Sequence, residues 1–475
     1  MEHFILGEIG TLLAPTLSVL SAILYFVITI FVLVSVHEFG HFIAGRIFGM
    51  RVPIYSIGMG QRVFGWNKID GLTFGGLRPE TEIQLTANTD YRLSALPIGG
   101  YAKIEGMIDE TQSEALPAEI QPWEFRAKPW WQKTIVILAG VIMNTLLAWG
   151  IFAGHNFAIG EDMRMTTTVG SVDHASQSKA AGVMPGDKIV AIDGKPVDNW
   201  EEIGRDAILQ HVGKDFAITY TRDGREFEVA YHTAKMASPD DIAIALGLTP
   251  IGYGPPSIGE VLKNTPAEHA GLKAGDVITH IEGDTVAGSE SLIAHISANP
   301  LKPIPLEWRR EGQVMSTTIT PDATGKIGIQ VMGAPYTGPR KHVDYSIPQA
   351  AGIGWTQLST YAALTVKMIG TVITGKTPVS HALGGPIKIA QLASQSAQGG
   401  FESFVLFMAL LSLSLAMLNV LPIPALDGGH LLIILVEAVI GHELSQRFKL
   451  GFQRVGVAIL LSLMLFMVIN DIRSL

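Results

Sequence analysis

The chain has 475 residues, of which 48% are hydrophobic and only 16% are charged. Ordinary soluble domains have roughly a quarter charged residues, so this composition indicates a membrane protein. The net charge is −9 and no long basic run is present, so we expect no nucleic acid among the partners. The absence of cysteine excludes disulfides, thiolate metal sites and a cysteine nucleophile.

Four stretches are long and apolar enough to cross a bilayer, which takes roughly 20 apolar residues. They are residues 17–36, 134–159, 404–421 and 452–469. We expect the first to be retained, because no basic residue and no small-residue cleavage site mark it as a signal peptide. Residues 350–373 and 431–448 are also apolar but carry polar interruptions, which predicts helices lying at the interface or packed on the bundle.

Basic residues near the spans predict the orientation of the chain. They collect after the first span, before the second, and between the third and fourth. Loops rich in Lys and Arg stay in the cytoplasm, so both termini and the long stretch between spans two and three are expected outside it.

Two glycine-containing segments between spans one and two, residues 52–66 and 96–107, predict strands of a membrane-associated sheet. Strand edges cannot face lipid, so a sheet that dips into the membrane must do so inside a protein cavity. Residues 71–95 predict a long loop within it, and the segment Gly58-Met59-Gly60 is the expected edge for binding an extended peptide.

The stretch between spans two and three contains an internal repeat. "AAGVMPGDKIVAIDGKPV" at residues 180–197 recurs as "HAGLKAGDVITHIEGDTV" at residues 269–286. Each copy predicts a helix, a Gly-Asp turn, a strand and a hairpin. The copies are either duplicated spacer domains or, because the signature resembles bacterial PDZ modules, two PDZ domains at residues 161–250 and 251–335. Residues 1–160 and 336–475 are then the two membrane halves.

The sequence His37-Glu38-Phe39-Gly40-His41 stands at the end of the first span. On a helix, positions i and i+4 share a face, so both imidazoles can reach one metal while Glu38 takes a proton from water. Chance occurrence is the alternative, but ionisable residues at the end of an apolar helix are costly and indicate function.

A zinc hydrolase site normally uses three protein ligands, and Asp427 in "NVLPIPALDGGH" is the best candidate for the third. Taken alone, its Asp-Gly dipeptide would indicate an ordinary turn. The order of the spans favours a ligand, since span three ends on the same membrane face as span one. The two motifs can therefore meet at one depth.

The His-Glu-Phe-Gly-His motif, paired with Asn-x-x-Pro-x-Pro-x-Leu-Asp-Gly-Gly after a later span, resembles the site-2 protease family of intramembrane metalloproteases. Two PDZ domains between spans two and three narrow the resemblance to its proteobacterial RseP branch. The resemblance implies that zinc is bound by His37, His41 and Asp427, and that Glu38 is the general base.

The same resemblance implies three substrate-binding residues, Asn144, Asn419 and Pro424. Asn144 ends the motif Gly140-Val141-Ile142-Met143-Asn144, which departs from many relatives in having Val141 in place of proline. An interhelical hydrogen bond is the alternative role for Asn144.

We therefore expect an α-helical membrane protein with four transmembrane helices, a membrane-associated β-sheet and two inserted periplasmic PDZ domains. The resemblance implies a bacterial inner-membrane endopeptidase that cleaves single-span proteins, such as a trimmed anti-sigma factor, and signal-peptide remnants. A non-catalytic PDZ scaffold would lack a ligand or Glu38. A metal transporter would carry charged or histidine residues within several spans.

Overall fold

The computed structural model describes residues 2–474 except 79–80, 82–87, 108–118, 174–175, 205–206, 208–210, 212–213, 235, 237–238, 287 and 375–383. The chain divides into two compact units. One consists of the residues up to Ala158 together with Tyr345–Leu475, and the other is Ile159–Asp344. The second unit takes in residues 336–344, which the sequence pattern assigns to the C-terminal membrane half.

The N-terminal half contains two long helices with a small sheet between them in sequence. Its elements are α1 (Glu2–Ile47), β1 (Ile54–Asn67), β2 (Gly71–Phe74), β3 (Asp90–Lys103), a 3-10 turn (Phe125–Ala127) and α2 (Trp130–Ile159). The long apolar run of the first span explains the unbroken α1.

Strands β1 and β3 each bend at glycines, so that their halves pair twice. Residues 54–57 lie between residues 100–103 and residues 90–93, and residues 64–66 pair with residues 91–93 on the far side. Gly58 and Gly60 make the bend in β1, with φ values of 84° and 86° that favour glycine. β2 adds a strand next to residues 64–67.

The prediction of a loop over residues 71–95 is wrong at both ends. Residues 71–74 form β2, and β3 already begins at Asp90. A buried ion pair between Arg62 and Asp90, at 3.0 Å, holds the two long strands together there. Residues 79–80 and 82–87 of this stretch lie outside the described residues.

The inserted unit holds both repeats. Its helices are α3 (Gln177–Ala180), α4 (Trp200–Ile203), α5 (Pro239–Leu246), α6 (Pro266–His269) and α7 (Ser289–Ser297). Its strands are β4 (Glu161–Arg164), β5 (Val169–Val172), β6 (Lys188–Ile192), β7 (Lys195–Pro196), β8 (Phe216–Arg222), β9 (Arg225–Tyr231), β10 (Leu248–Pro250), β11 (Ser257–Val261), β12 (Val277–Ile281), β13 (Asp284–Thr285), β14 (Ile304–Arg310), β15 (Gln313–Ile319), β16 (Ile329–Met332) and β17 (Arg340–Val343).

The sheets of the two repeats are built alike. The first repeat has the order β7-β6-β8-β9 with β5 paired to β10, and the second has β15-β14-β12-β11-β16 with β13 beside β12. Both contain the predicted helix, turn, strand and hairpin, and each has its own hydrophobic cluster. β4 pairs with β17, which brings the two chain connections of this unit together.

The Gly-Asp signature of the repeats has a structural cause. Asp187 accepts a hydrogen bond from the N–H of Met184 at 2.8 Å and pairs with Arg222 at 2.6 Å. Asp276 accepts from Lys273 at 2.8 Å and pairs with Arg310 at 2.6 Å. Both carboxylates are buried, so each repeat needs this aspartate to close its turn onto a neighbouring strand.

The C-terminal half is helical. Its elements are α8 (Ile347–Ile373), α9 (Pro386–Gln398), α10 (Phe401–Val420), α11 (Asp427–Ile440) and α12 (Gln446–Ser474). A capping box between Ser346 and Gln349 begins α8. The segment 431–448, expected as one helix, is instead divided by Gly441, whose φ of 82° ends α11.

Within the described residues, four helices are long and apolar enough to span a membrane. They are Val19–Ile47, Trp130–Ile159, Phe401–Val420 and Gln446–Arg473. Each contains nearly all of one predicted span and extends it at one or both ends. Contacts among Ala148, Phe152, Leu358, Ala409 and Leu413 hold α2, α8 and α10 together.

Candidate active site

Helix α1 presents two histidines one turn apart. His37 and His41 are only 6% and 7% exposed, and their Nε2 atoms are 3.1 Å from each other. Because α1 continues to Ile47, the motif lies within the helix and the i, i+4 spacing puts both rings on one face.

Asp427 reaches the same point from the start of α11. Residues 421–426 form a turn before it, with Ala425 at a φ of 70°. The two following glycines lie against this turn, and a Cβ at Gly429 would meet the backbone carbonyl of Ile423 and the Cα of Pro424. The Leu-Asp-Gly-Gly sequence therefore folds the chain back on itself and brings the carboxylate to the two histidines of α1.

The three side chains converge as metal ligands do. The Nε2 atoms of His37 and His41 lie 3.0 Å and 3.5 Å from the Asp427 carboxylate oxygens. Their ligand atoms all fall within 4.8 Å of one another. Ligands about 2.0–2.1 Å from a tetrahedral zinc are about 3.3 Å apart, so two imidazoles and a carboxylate fit this metal.

The surroundings of Asp427 favour its ionised form. Burial by itself would raise the pKa of Asp427, but the two neighbouring imidazoles hold the pKa of this carboxyl below its usual range. The side chain is therefore ionised, which is the form that binds a metal.

Helix α2 packs against the two histidines. His41 Nδ1 is 2.8 Å from the carbonyl oxygen of Val136, and Asn144 Nδ2 is 3.4 Å from His37 Nδ1. Gly140 lies between these two contacts, and a Cβ there would be 2.6 Å from His37 Cε1. The predicted Gly-x-x-x-Asn motif thus meets the ligands, as its spacing of one helical turn allows.

Glu38 lies between the ligands and the sheet. Its Oε2 accepts a hydrogen bond from the backbone N–H of Ala102 at 3.0 Å. The Glu38 carboxylate also interacts electrostatically with His41, His37 and Asp427, so it lies beside the candidate ligands. Sequence reasoning missed Ala102, whose only signal is its place in the segment "IGGYAKI".

The sheet offers an edge next to Glu38. Residues 100–103 pair with residues 54–57 on one side, and Ala102 directs its N–H to Glu38 on the other. The segment Gly58-Met59-Gly60 pairs with Leu96 on one side at the bend, so residues 100–103 are a second candidate edge. The prediction that Gly58-Met59-Gly60 offers the edge stays a prediction.

The two remaining predicted residues, Asn419 and Pro424, lie just before and within the turn that leads to Asp427. Asn419 is buried in the last turn of α10, and Pro424 lies within the turn itself. A cavity of about 60 Å³ lies beside this turn and is lined by Ala425, Gly429, His430, Lys133, Glu443 and Gln453, among others. Most of its wall is apolar, but Lys133, Glu443 and Gln453 add polar groups, and it has room for several water molecules.

Comparisons with known proteins agree with this geometry. The sequence matches peptidase family M50 over residues 25–463. It is 32% identical to a protein of Neisseria meningitidis serogroup A that is named as a zinc metalloprotease, over 95% of this chain and 99% of that one. It is 31% identical to the regulator of sigma-E protease RseP of Salmonella typhimurium, over 96% and 99% of the two chains.

Two further similarities extend this comparison. The chain is 31% identical to RseP of Escherichia coli K12, over 94% of this chain and 97% of that one. A solved PDZ domain of an SdrC-like protein from Listeria monocytogenes is 22% identical and covers 18% of this chain and 93% of its own, with a TM-score of 0.16. A score this low does not establish the fold of the repeats. The family match does cover most of the chain, and the protein therefore belongs to peptidase family M50, as a zinc-dependent membrane protease of the site-2 type.

Proposed function

We propose that this protein is an intramembrane endopeptidase that cleaves the transmembrane segments of single-span membrane proteins. One observation carries the proposal: His37, His41 and Asp427 converge while Glu38 stands between them and the edge of a sheet. That arrangement supports a site in which a metal, a proton acceptor and a binding surface for extended peptide would lie together.

The chemistry follows from the groups that the chain supplies. Zinc held by such a site acts as a Lewis acid that activates water and polarises the scissile carbonyl. Glu38 takes the proton of the attacking water and then donates it to the leaving amine. The burial of both histidines keeps bulk water away from the ligands.

The substrate must be extended before it is cut, because the carbonyls of a helix are engaged in its own hydrogen bonds. Residues 100–103 are the edge on which an extended peptide can add. A peptide added there uses the N–H of Ala102, which in this structure is bonded to Glu38. Binding of substrate would then release the Glu38 carboxylate for proton transfer.

Water reaches the site from the inner side of the membrane in this proposal. The cavity beside the Asp427 turn is lined in part by Lys133 and Glu443, which form an ion pair at 3.2 Å. Arg46 at the end of α1 and Lys449 and Arg454 in α12 add to the basic character expected of a cytoplasmic side.

We infer that the protein lies in a bacterial inner membrane, with both termini and the inserted unit in the periplasm. Two relatives are named regulator of sigma-E protease, which supports a role in sigma-E regulation. We propose a trimmed anti-sigma factor as the substrate, in envelope-stress signalling, and signal-peptide remnants as further substrates. The repeats are proposed to be PDZ domains that exclude substrates with bulky outer domains.

The test uses the full chain purified in detergent, with zinc content and cleavage of a single-span test substrate as readouts. The wild type should hold about one zinc per chain, and His41→Ala or Asp427→Ala should lose both zinc and cleavage. His442→Ala is the matched control, because this histidine is exposed and contacts Glu443. Normal zinc content and cleavage in both site variants would show that the site is elsewhere.

A further inference from the structure

The side chain of Asn144 is fully buried, yet only one of its two polar amide atoms has a hydrogen-bond partner among the described residues. Its Nδ2 lies 3.4 Å from His37 Nδ1. Its Oδ1 is also buried and has no hydrogen-bond partner among the described residues. An orphaned buried acceptor costs on the order of 1–3 kcal/mol, so its position needs an explanation.

Metal binding fixes which ring nitrogen of His37 carries a proton. Its Nε2 faces Asp427 and His41, at 3.0 Å and 3.1 Å. A ring nitrogen that binds a metal carries no proton, so the proton of the neutral ring is on Nδ1. Nδ1–H then needs an acceptor, and the NH₂ group opposite it cannot accept.

Rotating the Asn144 amide by about 180° gives a hydrogen-bond partner to Oδ1 and an acceptor to His37 Nδ1–H. It places Oδ1 where Nδ2 stands, so that Oδ1 accepts from His37 Nδ1–H. The shape of the side chain is unchanged, because the two amide groups are nearly the same size. The buried oxygen gains a partner and the two facing donors are removed, while the NH₂ group takes the position that the oxygen held.

The second histidine already shows this arrangement. His41 Nδ1 lies 2.8 Å from the carbonyl oxygen of Val136 and donates to it when Nε2 binds metal. Val136, Gly140 and Asn144 are four residues apart, so they form one stripe along α2. Ser412 of α10 bonds the carbonyl of Asn144 at 2.8 Å and anchors this end of the stripe.

We propose that Asn144 is a positioning residue whose Oδ1 accepts the His37 Nδ1 proton and so fixes the tautomer and orientation of this metal ligand. The inference rests on the proposed zinc site. It differs from the substrate contact that the family resemblance implies, which requires the amide as a donor. The two roles are separable, because Asp offers the acceptor without the NH₂ group.

The experiment measures zinc affinity by chelator competition in the purified full chain. Asn144→Leu keeps the volume but removes the acceptor, and should weaken zinc binding about 10–100-fold. Asn144→Asp should bind zinc close to the wild-type level. The matched control is Asn156→Leu on the same helix, whose amide bonds Phe152 and Gln357 and which should leave zinc affinity unchanged.

Each outcome has a distinct meaning. Wild-type affinity in Asn144→Leu, or equal losses in the Leu and Asp variants, would overturn the positioning role. A wild-type chain without stoichiometric zinc would instead defeat the proposed function. If Asn144→Leu does not fold, histidine ¹⁵N NMR of the zinc-loaded wild type decides: Nδ1–H on His37 supports the inference, and a proton on Nε2 refutes it.

Discussion

Gly140 of α2 packs directly against the two histidines that we propose as metal ligands. A Cβ at this position would lie 2.6 Å from both His37 Cε1 and His41 Nε2, and 2.7 Å from His37 Nε2. Favourable non-bonded contacts are about 3.5–4.0 Å, so Gly140→Ala must displace at least one imidazole or separate the helices. We predict that this single methyl group disrupts the site.

The size of the effect follows from the cost of overpacking. Extra atoms in a tightly packed interior cost about 1–3 kcal/mol. A Cβ at Gly40 would lie 2.8 Å from the nitrogen of Gly140, so the backbones of α1 and α2 are in close contact here, and separating the helices would open this contact. If the rings yield instead, zinc affinity falls roughly 5–150-fold, because 1.4 kcal/mol is a factor of ten.

The assay compares Gly140→Ala with Gly150→Ala in the purified full chain. Gly150 lies on the same helix, and a Cβ at this position would meet no atom within 4 Å, so its substitution should preserve zinc affinity and stabilise the helix by about 0.5–1 kcal/mol. Chelator competition gives the affinity, and thermal unfolding checks that each variant folds. If Gly140→Ala binds zinc and cleaves substrate like Gly150→Ala, the packing argument is wrong.

Three further predictions concern the base, the inserted unit and a buried histidine. Glu38→Gln should retain zinc and abolish cleavage, since the amide can still accept from Ala102 but cannot take a proton; loss of zinc would identify Glu38 as a ligand. Replacing residues 167–337 by a short turn should remove the repeats and so admit untrimmed substrates. The two ends of this deletion are already close, because β4 pairs with β17 and the N–H of Met165 bonds the carbonyl of Pro339 at 2.9 Å. Continued refusal of long substrates would place the filter elsewhere. Hydrogen bonding to Asp173 of the first repeat, together with Glu282, raises the pKa of His295, so the contact between the repeats should be strongest below about pH 6.5 and weaken as pH rises through the raised value. Hydrogen-exchange protection of this contact, corrected for the intrinsic pH dependence of exchange, should therefore be lower at pH 8 than at pH 6 in the wild type but equal at the two pH values in His295→Gln; an equal loss of protection in both proteins would contradict the assignment.

The sequence alone determined the features that depend on local pattern. The spacing of His37 and His41 put both on one helix face, and the order of the spans was enough to make Asp427 the third ligand candidate. The Gly-Asp signature predicted the helix, turn, strand and hairpin of each repeat, because a tight turn imposes its requirements on a few consecutive residues.

Only the tertiary structure decided which surfaces meet. Glycines at Gly58 and Gly60 indicated bends, but not that each long strand would fold back to pair twice, since strand register depends on distant partners. For the same reason the sheet edge at residues 100–103, and Ala102 as the partner of Glu38, could not be read from the sequence. The Gly-x-x-x-Asn motif puts Gly140 and Asn144 on one face of a helix, but the contact of Asn144 with His37 depends on how closely α1 and α2 approach. That distance is set by Gly40 and Gly140, where the absence of side chains lets the helices touch.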